Sequence, residues 1–221
     1  MKMTSLTING RTVSRLFING REVALGSASS ESLCFTAKYN NSTIQLIKEG
    51  SPDNINLQTS TDGNTWTPYN IGDVITVPNA GGKVYFAAVR SNYTLASSPS
   101  DFYKFVTTGE FEASGNVNSL LEEDPNIART MSLESRQFCF AYLFSNAALT
   151  TAPELPATTL AYGCYAMMFN NCQVLTQAPV LPAYDLADFC YYYMFENCTA
   201  LTQAPELPAY QLVDSCYAYM F

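Results

Sequence analysis

The sequence predicts a mainly β, modular fold: an N-terminal β-meander, then a β-sandwich, then a C-terminal solenoid of stacked repeats with short helices. Three observations predict these modules. A ten-residue duplication occupies residues 1–26, short apolar runs alternate with turn signals over residues 32–108, and a repeat of about 26 residues fills much of residues 109–221. Hydrophobic residues make up 48% of the chain and charged residues 14%, which is typical of an ordered protein.

The meander is predicted from two Asn-Gly pairs, Asn9-Gly10 and Asn19-Gly20, each flanked by apolar and β-branched residues. Asn and Gly tolerate the positive φ angles of a type I′ turn, so each pair predicts a hairpin. The predicted strands are 4–8, 11–18 and 21–25. Three such short strands bury too little apolar area to be stable alone, so this module is expected to dock against another surface.

The N-terminal segment is locally basic, although the whole chain has a formal net charge of −8. It contains one lysine and three arginines, and its only acidic residue is Glu22. We therefore expect it to anchor the protein to an acidic partner surface. The predicted anchoring residues are Asn9, Arg11, Arg15, Asn19 and Arg21.

Residues 32–108 are predicted to form a sandwich of short strands. The predicted strands are 33–38, 43–48, 55–60, 65–69, 74–77, 83–89 and 102–107. Turn sequences such as Asp62-Gly63-Asn64 and Gly81-Gly82 separate several of them. This spacing is typical of an immunoglobulin-like sandwich. The only tryptophan, Trp66, is expected in the sandwich core, and the alternative role is a ligand platform.

A repeat dominates the sequence from Cys139 onward. Four cysteines recur at a nearly constant interval, and an aromatic residue follows each of them five positions later. One unit of this length cannot enclose a core, so the units are expected to stack and to align equivalent side chains in ladders. The predicted ladder residues are Cys139, Phe144, Cys164, Phe169, Cys190, Phe195, Cys216 and Phe221.

Within one unit, near-helical spacing of aromatic residues predicts a short helix over residues 188–197. Residues 201–207 alternate like a strand, which Pro205 and Pro208 are expected to keep short. The repeat-related cysteines are expected to be reduced, buried thiols, and disulfides between neighbouring units are the alternative.

The repeat resembles the BspA-like, or Treponema-type, leucine-rich repeats. The resemblance covers the chain from Cys139 onward, and the segments that carry it are LFSNAALTTAPELPATTLA (143–161), MFNNCQVLTQAPVLPAYDLA (168–187) and MFENCTALTQAPELPAYQLV (194–213). The first unit departs from the pattern, because Ala147 stands where later units have Cys172 and Cys198. The resemblance implies a curved solenoid used in adhesion or recognition by surface proteins of gut and oral bacteria, and by phages that infect them.

Bacterial surface proteins of that family normally carry an export signal, whereas this chain begins directly with its hairpins. We therefore expect a structural and adhesive virion protein, a head or tail appendage of a phage that infects gut Bacteroides-type bacteria and assembles in the host cytoplasm. Residues 1–26 are expected to bind other virion proteins, and the repeats are expected to bind a host-surface glycan or protein. The protein is expected to form a homo-oligomer. The alternatives are a bacterial cell-surface adhesin and a surface enzyme acting on glycans. Because the chain stops at Phe221 within a repeat, the gene product is expected to continue beyond it.

The residue inventory predicts a protein that is not an enzyme and uses no metal or cofactor. The sequence contains no histidine, which removes Ser-His and Cys-His nucleophilic sites and the usual zinc ligand. Residues 137–221 contain no lysine or arginine, so binding of nucleic acid is not expected there. The chain also has no apolar stretch of the roughly 20 residues that a membrane helix needs, so membrane insertion is not expected.

Tyrosines of the repeats are the predicted contact residues for a host surface. The run of tyrosines at 191–193 must expose at least one ring, because three consecutive residues cannot share one helix face. Exposed tyrosines suit sugar stacking or a protein interface, and packing between units is the alternative. The predicted surface-binding residues are Tyr184, Tyr192, Tyr193 and Tyr210.

Overall fold

The computed structural model describes residues 32–92 and 94–221, together with the backbone of four short strands within residues 1–31. The described part of the chain is mainly β, as predicted, and its helical segments are two short turns of helix. The four N-terminal strands are β1 (Thr7–Ile8), β2 (Arg11–Thr12), β3 (Leu16–Ile18) and β4 (Arg21–Val23).

These four strands form two separate hairpins. Ile8 pairs with Arg11 in the first hairpin, and Ile18 pairs with Arg21 in the second, so two residues connect the strands of each. The predicted strand over residues 11–18 corresponds to two strands, β2 and β3, in different two-stranded sheets. The described residues therefore form two hairpins and not the predicted three-stranded meander, because each short strand pairs only across its own turn.

Two sheets follow, and all but one of their strand pairs are antiparallel. Their strands are β5 (Leu33–Ala37), β6 (Ser42–Glu49), β7 (Leu57–Ser60), β8 (Thr67–Tyr69), β9 (Ile75–Val77), β10 (Lys83–Ala88), β11 (Ala96–Ser98), β12 (Asp101–Thr108), β13 (Phe111–Ser114) and β14 (Leu149–Thr151). The first sheet has the order β14-β13-β5-β10-β7-β8 and the second β11-β12-β6-β9. Each of the strands predicted for residues 32–108 is present to within two residues at each end, and the prediction missed β11 and β13.

The two sheets face each other across an aromatic core. Alternate residues of β6, namely Ser42, Ile44 and Leu46, are buried, which is the period expected for a strand with one face toward a core. Phe35 of the first sheet lies 4.8 Å from Phe105 of the second, measured between ring centroids. We call residues 32–114 the two-sheet region.

Trp66 does not belong to this core, so the prediction that it does is wrong. The side chain is half-buried and precedes β8, the strand at one edge of the first sheet. An edge strand has a neighbour on one side only, and Tyr69 is the one residue of β8 that is buried. The large buried rings that fill the core are Phe35, Phe86, Phe105 and Phe111.

Two short helices connect the two-sheet region to the repeats. A 3-10 helix spans Val117–Leu120 and an α-helix, α1, spans Pro125–Thr130. The side chains of Asn116 and Asp124 cap them by accepting hydrogen bonds from the N–H groups two residues later. Within the residues that the structure describes, no helix has the length and apolar character required to cross a lipid bilayer.

From residue 138 onward, successive segments stack on one another through a repeated backbone pattern, and we call residues 138–221 the stack. Alternate N–H groups donate to a carbonyl of the next unit, as Phe140 does to Cys164 at 2.9 Å and Tyr165 to Cys190 at 3.0 Å. The N–H groups between them donate to the carbonyl three residues earlier in the same unit, as Ala141 does to Phe138. We call this stretch of each unit the turn ribbon; the ribbons span 138–146, 163–171, 189–197 and 215–221.

The prediction of a helix over residues 188–197 is wrong, because a turn ribbon occupies this stretch. Every fourth ribbon residue has a positive φ, as Phe189, Tyr193 and Asn197 do at 59°, 54° and 59°. A positive φ interrupts a right-handed helix, so the freed N–H groups turn toward the next unit. The predicted strand over residues 201–207 is also absent from the structure, and the prolines there lack the N–H groups that would pair it.

One buried core runs through both parts of the chain. β13 pairs antiparallel with β5 and parallel with β14, which belongs to the first repeat unit. The ring of Phe105, from β12, stacks on Phe144 of the first ribbon at 5.6 Å. The first sheet and the core therefore continue across the predicted module boundary between residues 108 and 109.

Candidate binding surfaces of the repeat region

The predicted phenylalanine ladder is the first feature of the stack. Consecutive rings lie nearly parallel, with centroid distances of 5.3 Å for Phe144 to Phe169, 5.6 Å for Phe169 to Phe195 and 5.8 Å for Phe195 to Phe221. The first three rings are buried, whereas Phe221 at the end is 58% exposed. The three buried rings support the surface of the stack and are not accessible to a ligand.

A second ladder, which the sequence reasoning missed, runs beside the first. It consists of the residues that directly follow the repeat cysteines: Phe140, Tyr165, Tyr191 and Tyr217. The hydroxyl groups of Tyr165 and Tyr217 are buried and have no hydrogen-bond partner among the described residues. Burial raises the pKa of Tyr165 and Tyr191 far above the usual value and that of Tyr217 to about 12. The fixed position after each cysteine was the signal that could have revealed this ladder.

The repeat cysteines are free, buried thiols. All four cysteines of the predicted ladder are buried: Cys139, Cys164, Cys190 and Cys216. Two further thiols are also buried: Cys172 donates to the carbonyl of Phe144 at 3.0 Å and Cys198 to that of Phe169 at 3.1 Å. Burial raises the pKa of Cys198 to about 11, so its thiol is protonated at neutral pH, when it is a poor nucleophile and metal ligand. Among residues 32–92 and 94–221, no three cysteine or acidic side chains converge on a point that could hold a metal ion.

A set of aromatic rings that are half-buried or exposed covers one side of the ribbons. We call it the aromatic belt, and its members are Phe102, Phe138, Tyr142, Tyr162, Phe189, Tyr192, Tyr193 and Tyr219. The rings form two runs of touching neighbours: Phe102 with Tyr142 at a centroid distance of 4.4 Å, and the six rings from Phe138 to Tyr219, in which Tyr193 and Tyr219 are 4.7 Å apart. Each ring is therefore held by another ring while part of its surface stays open to solvent.

A shared layer of alanines lies beneath both runs of the belt. Tyr142 and Tyr192 both pack over a layer of buried alanines, Ala96, Ala141 and Ala166. Burial, and then the neighbouring Tyr192, raise the pKa of Tyr142. At the end of the belt that lies in the two-sheet region, the ammonium group of Lys104 is 5.9 Å from the ring centroid of Phe102 and 2.9 Å from a carboxylate oxygen of Glu49.

The four predicted surface-binding tyrosines fall into two pairs. Tyr192 and Tyr193 belong to the belt, where their rings touch at 4.3 Å. Tyr184 is 53% exposed and Tyr210 is 96% exposed. Among the described residues, no ring contact joins Tyr184 or Tyr210 to the belt. The structure thus does not bring the four together on one surface.

Sequence reasoning missed most of the belt. The third residue after each repeat cysteine is Tyr142, Met167, Tyr193 or Tyr219, so one belt column was visible in the alignment of the units. Tyr192 occupies a column that holds alanine in the other units, which is why it lies over the alanine layer. The contribution of Phe102 comes from a strand outside the repeats, and no repeat pattern predicts it.

The repeated Ala-Pro-x-Leu-Pro segments of neighbouring units line a groove. A cavity of about 370 Å³ between the first and second units shares residues with one of about 700 Å³ between the second and third. We call the joined cavities the proline groove; its lining residues lie within 151–156, 176–182 and 202–208. Glu154, Val180 and Glu206 occupy equivalent positions along it, and all three are exposed.

The predicted anchoring residues lie mostly beyond what the structure describes. Arg11 and Arg21 each begin a strand, β2 and β4, whose backbone alone is described. Asn9, Arg15 and Asn19 lie outside the described residues. The anchoring role of these five residues therefore stays a prediction.

The belt and the groove differ in chemistry. The belt offers ring faces and tyrosine hydroxyls, whereas the groove offers apolar side chains and two carboxylates. Comparison of the chain with models of known protein families, with curated proteins and with solved structures finds no match.

Proposed function

We propose that this protein is a non-enzymatic binding protein that adheres to a host surface through its aromatic belt. The observation that carries the proposal is the belt itself: two runs of touching rings, none of them buried, one from Phe102 to Tyr142 and one from Phe138 to Tyr219, which share one layer of alanines. Soluble proteins rarely expose large contiguous apolar patches unless the patch binds something.

The chemistry of the belt suits a glycan or a protein surface. Aromatic rings offer flat apolar faces to the C–H groups of sugars, and tyrosine hydroxyls can donate and accept hydrogen bonds at their edges. Tyrosines also have few rotatable bonds, so little conformational entropy is lost when they bind. The buried ladders beneath the belt hold the ribbons in register and thereby preorganise its rings.

We assign the stack to the BspA-like leucine-rich-repeat type and the two-sheet region to the immunoglobulin-like type. The parallel bridges between Thr151 and Gln177 and between Thr159 and Asp185 support the first assignment, because equivalent residues of neighbouring units pair. The two facing sheets, whose strand pairs within residues 32–114 are all antiparallel, support the second. In this proposal the two-sheet region is a spacer and the basic residues 1–26 attach the protein to other virion proteins.

The proposed setting is the virion of a phage that infects gut Bacteroides-type bacteria, in which the protein forms a homo-oligomeric head or tail appendage. The resemblance of the repeat is what supports this setting. A bacterial cell surface would use the same belt chemistry. Mass spectrometry of purified particles and of washed cell envelopes separates the two, since the protein should be enriched in one of them.

The belt is tested by binding of the full chain to Bacteroides-type cells and to an array of their surface polysaccharides. The double variant Tyr192→Ala/Tyr193→Ala should bind at least about tenfold more weakly, because loss of about 1.4 kcal/mol of binding free energy is a tenfold change and buried aromatic contacts exceed that. The double variant Tyr184→Ala/Tyr210→Ala is the matched control, since it removes two exposed tyrosines outside the belt.

The control should change affinity less than twofold. Near-ultraviolet circular dichroism and thermal unfolding check that both variants keep the fold. Equal losses in the two variants, or unchanged binding by the belt variant, would contradict the proposal.

A further inference from the structure

The proline groove combines an apolar floor with a negatively charged rim. Pro153 and Pro179 are buried in its floor, and Glu154 and Glu206 stand exposed along its length. Residues 137–221 contain no lysine or arginine, so no basic side chain of the stack neutralises these carboxylates. The groove is therefore suited to a segment that carries both apolar and basic side chains.

The continuous described chain begins at Ser32, close to the groove residue Glu154. Ser32, the first residue of the continuous described chain, forms a parallel bridge with Asn116, and Asn116 forms another with Glu154. Backbone hydrogen bonds fix the second bridge: Glu154 N–H donates to Gly115 at 2.8 Å and Val117 N–H to Glu154 at 3.1 Å. Neighbouring strands lie about 4.8 Å apart, so Ser32 lies about 10 Å from Glu154.

The connection between the hairpins and the groove is long enough. Residues 24–31 separate β4 from Ser32, and eight extended residues span at most about 28 Å. The segment that they carry has the composition that the groove requires: Lys2 and three arginines, with an apolar run at Leu16, Phe17 and Ile18.

We infer that the proline groove is the docking site for the basic N-terminal segment, residues 1–26, of the same chain. Short reach and opposite charge both favour this occupant over a second copy, because a tethered segment binds at a high effective concentration. The segment would then exchange the groove for an acidic surface of a binding partner, so anchoring and groove occupancy exclude each other. Contacts between exposed charges weaken with salt, since the screening length is about 10 Å at 0.1 M ionic strength.

Disulfide trapping in the full chain tests this inference. The variant Ser14→Cys/Val180→Cys places one thiol in the N-terminal segment and one in the groove without changing any charge. Val180 is 80% exposed, whereas the native thiols are buried and should react slowly. The matched control is Ser14→Cys/Val74→Cys, because Val74 is 58% exposed in the two-sheet region.

Under mild oxidation, the groove variant should form an intrachain disulfide at least about tenfold faster than the control, as read from peptide mass spectrometry. The rate should fall several-fold in 0.5 M NaCl and when Glu154→Gln and Glu206→Gln are added. Equal rates in the two cysteine pairs, or rates that ignore salt and the glutamates, would overturn the inference. Disulfide-linked dimers as the main product would overturn it too, and would assign the groove to a second copy.

Discussion

The two-sheet region and the stack bury their aromatic side chains in opposite ways. In the two-sheet region, rings from distant strands converge at large angles, such as 89° for Phe35 and Phe86 and 79° for Tyr69 and Phe86. In the stack, equivalent rings lie nearly parallel, at 8° for Phe169 and Phe195. Each contact in the two-sheet region is therefore unique, whereas the stack repeats one contact. The effect of a substitution in the stack should depend on its position along the ladder.

The two regions also treat buried polar groups differently. The hydroxyl of Tyr69 accepts a hydrogen bond from the N–H of Leu46 and donates one to the carbonyl of Asp73. The hydroxyl of Tyr165 in the stack has no such partner among the described residues. A stacked ring has similar neighbours above and below it, and those neighbours supply ring faces instead of polar groups.

The largest effect is expected where the two regions meet. Phe144 stacks on Phe105 of the two-sheet region and on Phe169 of the next ribbon. Phe144→Ala should lower the free energy of unfolding by about 3–5 kcal/mol, the usual loss for a buried phenylalanine. Phe221→Ala is the control: it changes an equivalent ladder ring that is exposed and packs on Phe195, so we expect a loss below about 1 kcal/mol.

Urea unfolding measures both variants. Fluorescence of the single tryptophan, Trp66, reports on the two-sheet region, and near-ultraviolet circular dichroism of the tyrosines reports mainly on the stack. If Phe144→Ala left the two signals unchanged, the shared core across residues 108 and 109 would be refuted. A loss from Phe221→Ala as large as that from Phe144→Ala would show that position along the ladder is irrelevant.

The second expected effect is alkaline destabilisation of the stack. Burial raises the pKa of Cys164, Cys172 and Cys190 above the usual value of 9.0, and that of Cys198 to about 11. The folded state therefore favours the neutral thiol. The stabilisation is complete below pH 9, where unfolded thiols are protonated, and for Cys198 it is lost as the pH rises from 9 to about 11.

Six of the seven cysteines lie in the stack and only Cys34 lies in the two-sheet region. Between pH 7.5 and 10.5, the urea midpoint of the tyrosine signal should fall more than that of the Trp66 signal. Cys198→Ala should make the fall shallower, since it removes one of the titrating thiols. An equally steep fall in Cys198→Ala would show that this thiol is not a cause, and parallel decline of both midpoints would show that the two regions unfold as one unit.

The differences between the two regions also explain what the sequence could predict. Strand 43–48 was predictable because alternation of buried and less buried residues is a local pattern, and strand 33–38 because a short apolar run before a turn sequence is one too. The period of the stack was predictable because repeated cysteines and phenylalanines mark equivalent positions. The turn ribbon was not, because aromatic residues three or four positions apart suit a helix as well as a ribbon with a positive φ at every fourth residue.

The aromatic belt could not be predicted for the same reason: it depends on contacts between residues far apart in the sequence. Whether ribbon N–H groups bond within a unit or to the next one depends on partners a whole repeat further along the chain. The stacking of Phe102 on Tyr142 joins a strand of the second sheet to the first ribbon, and no local pattern encodes that register. The tyrosines at 192 and 193 were found because they stand together in the sequence, whereas Tyr184 and Tyr210 share only their exposure.

The third prediction compares a buried tyrosine hydroxyl in the two-sheet region with one in the stack. Tyr69→Phe should lower the free energy of unfolding by about 1–2 kcal/mol, because it leaves a buried N–H and a carbonyl without their partner. Tyr165→Phe removes a hydroxyl that has no partner among the described residues, so stability should stay the same or rise by up to about 1–2 kcal/mol. Thermal and urea unfolding measure both. A loss from Tyr165→Phe would mean that a buried water bonds its hydroxyl.

The smallest effect tests whether the turn ribbon stores backbone strain. Asn41 of the two-sheet region and Asn197 of the third ribbon have nearly the same positive φ, 58° and 59°, and both side chains are exposed. Alanine tolerates this conformation less well than asparagine, so Asn41→Ala and Asn197→Ala should each lower the free energy of unfolding by about 1 kcal/mol. Asn41→Gly and Asn197→Gly should change it by less than about 0.5 kcal/mol, because glycine adopts a positive φ readily.

Equal alanine penalties at the two positions would show that each ribbon turn behaves as an ordinary isolated turn. A penalty several times larger at Asn197 would show that the turns of a ribbon are coupled, since the N–H of Asn171 in the preceding unit donates to the carbonyl of Glu196 at 2.8 Å. Urea midpoints of the Trp66 and tyrosine signals decide between the two outcomes, because a coupled ribbon would lower the tyrosine midpoint alone. We expect equal penalties, because the positive φ recurs at the same ribbon position in successive units and each turn closes its own hydrogen bond.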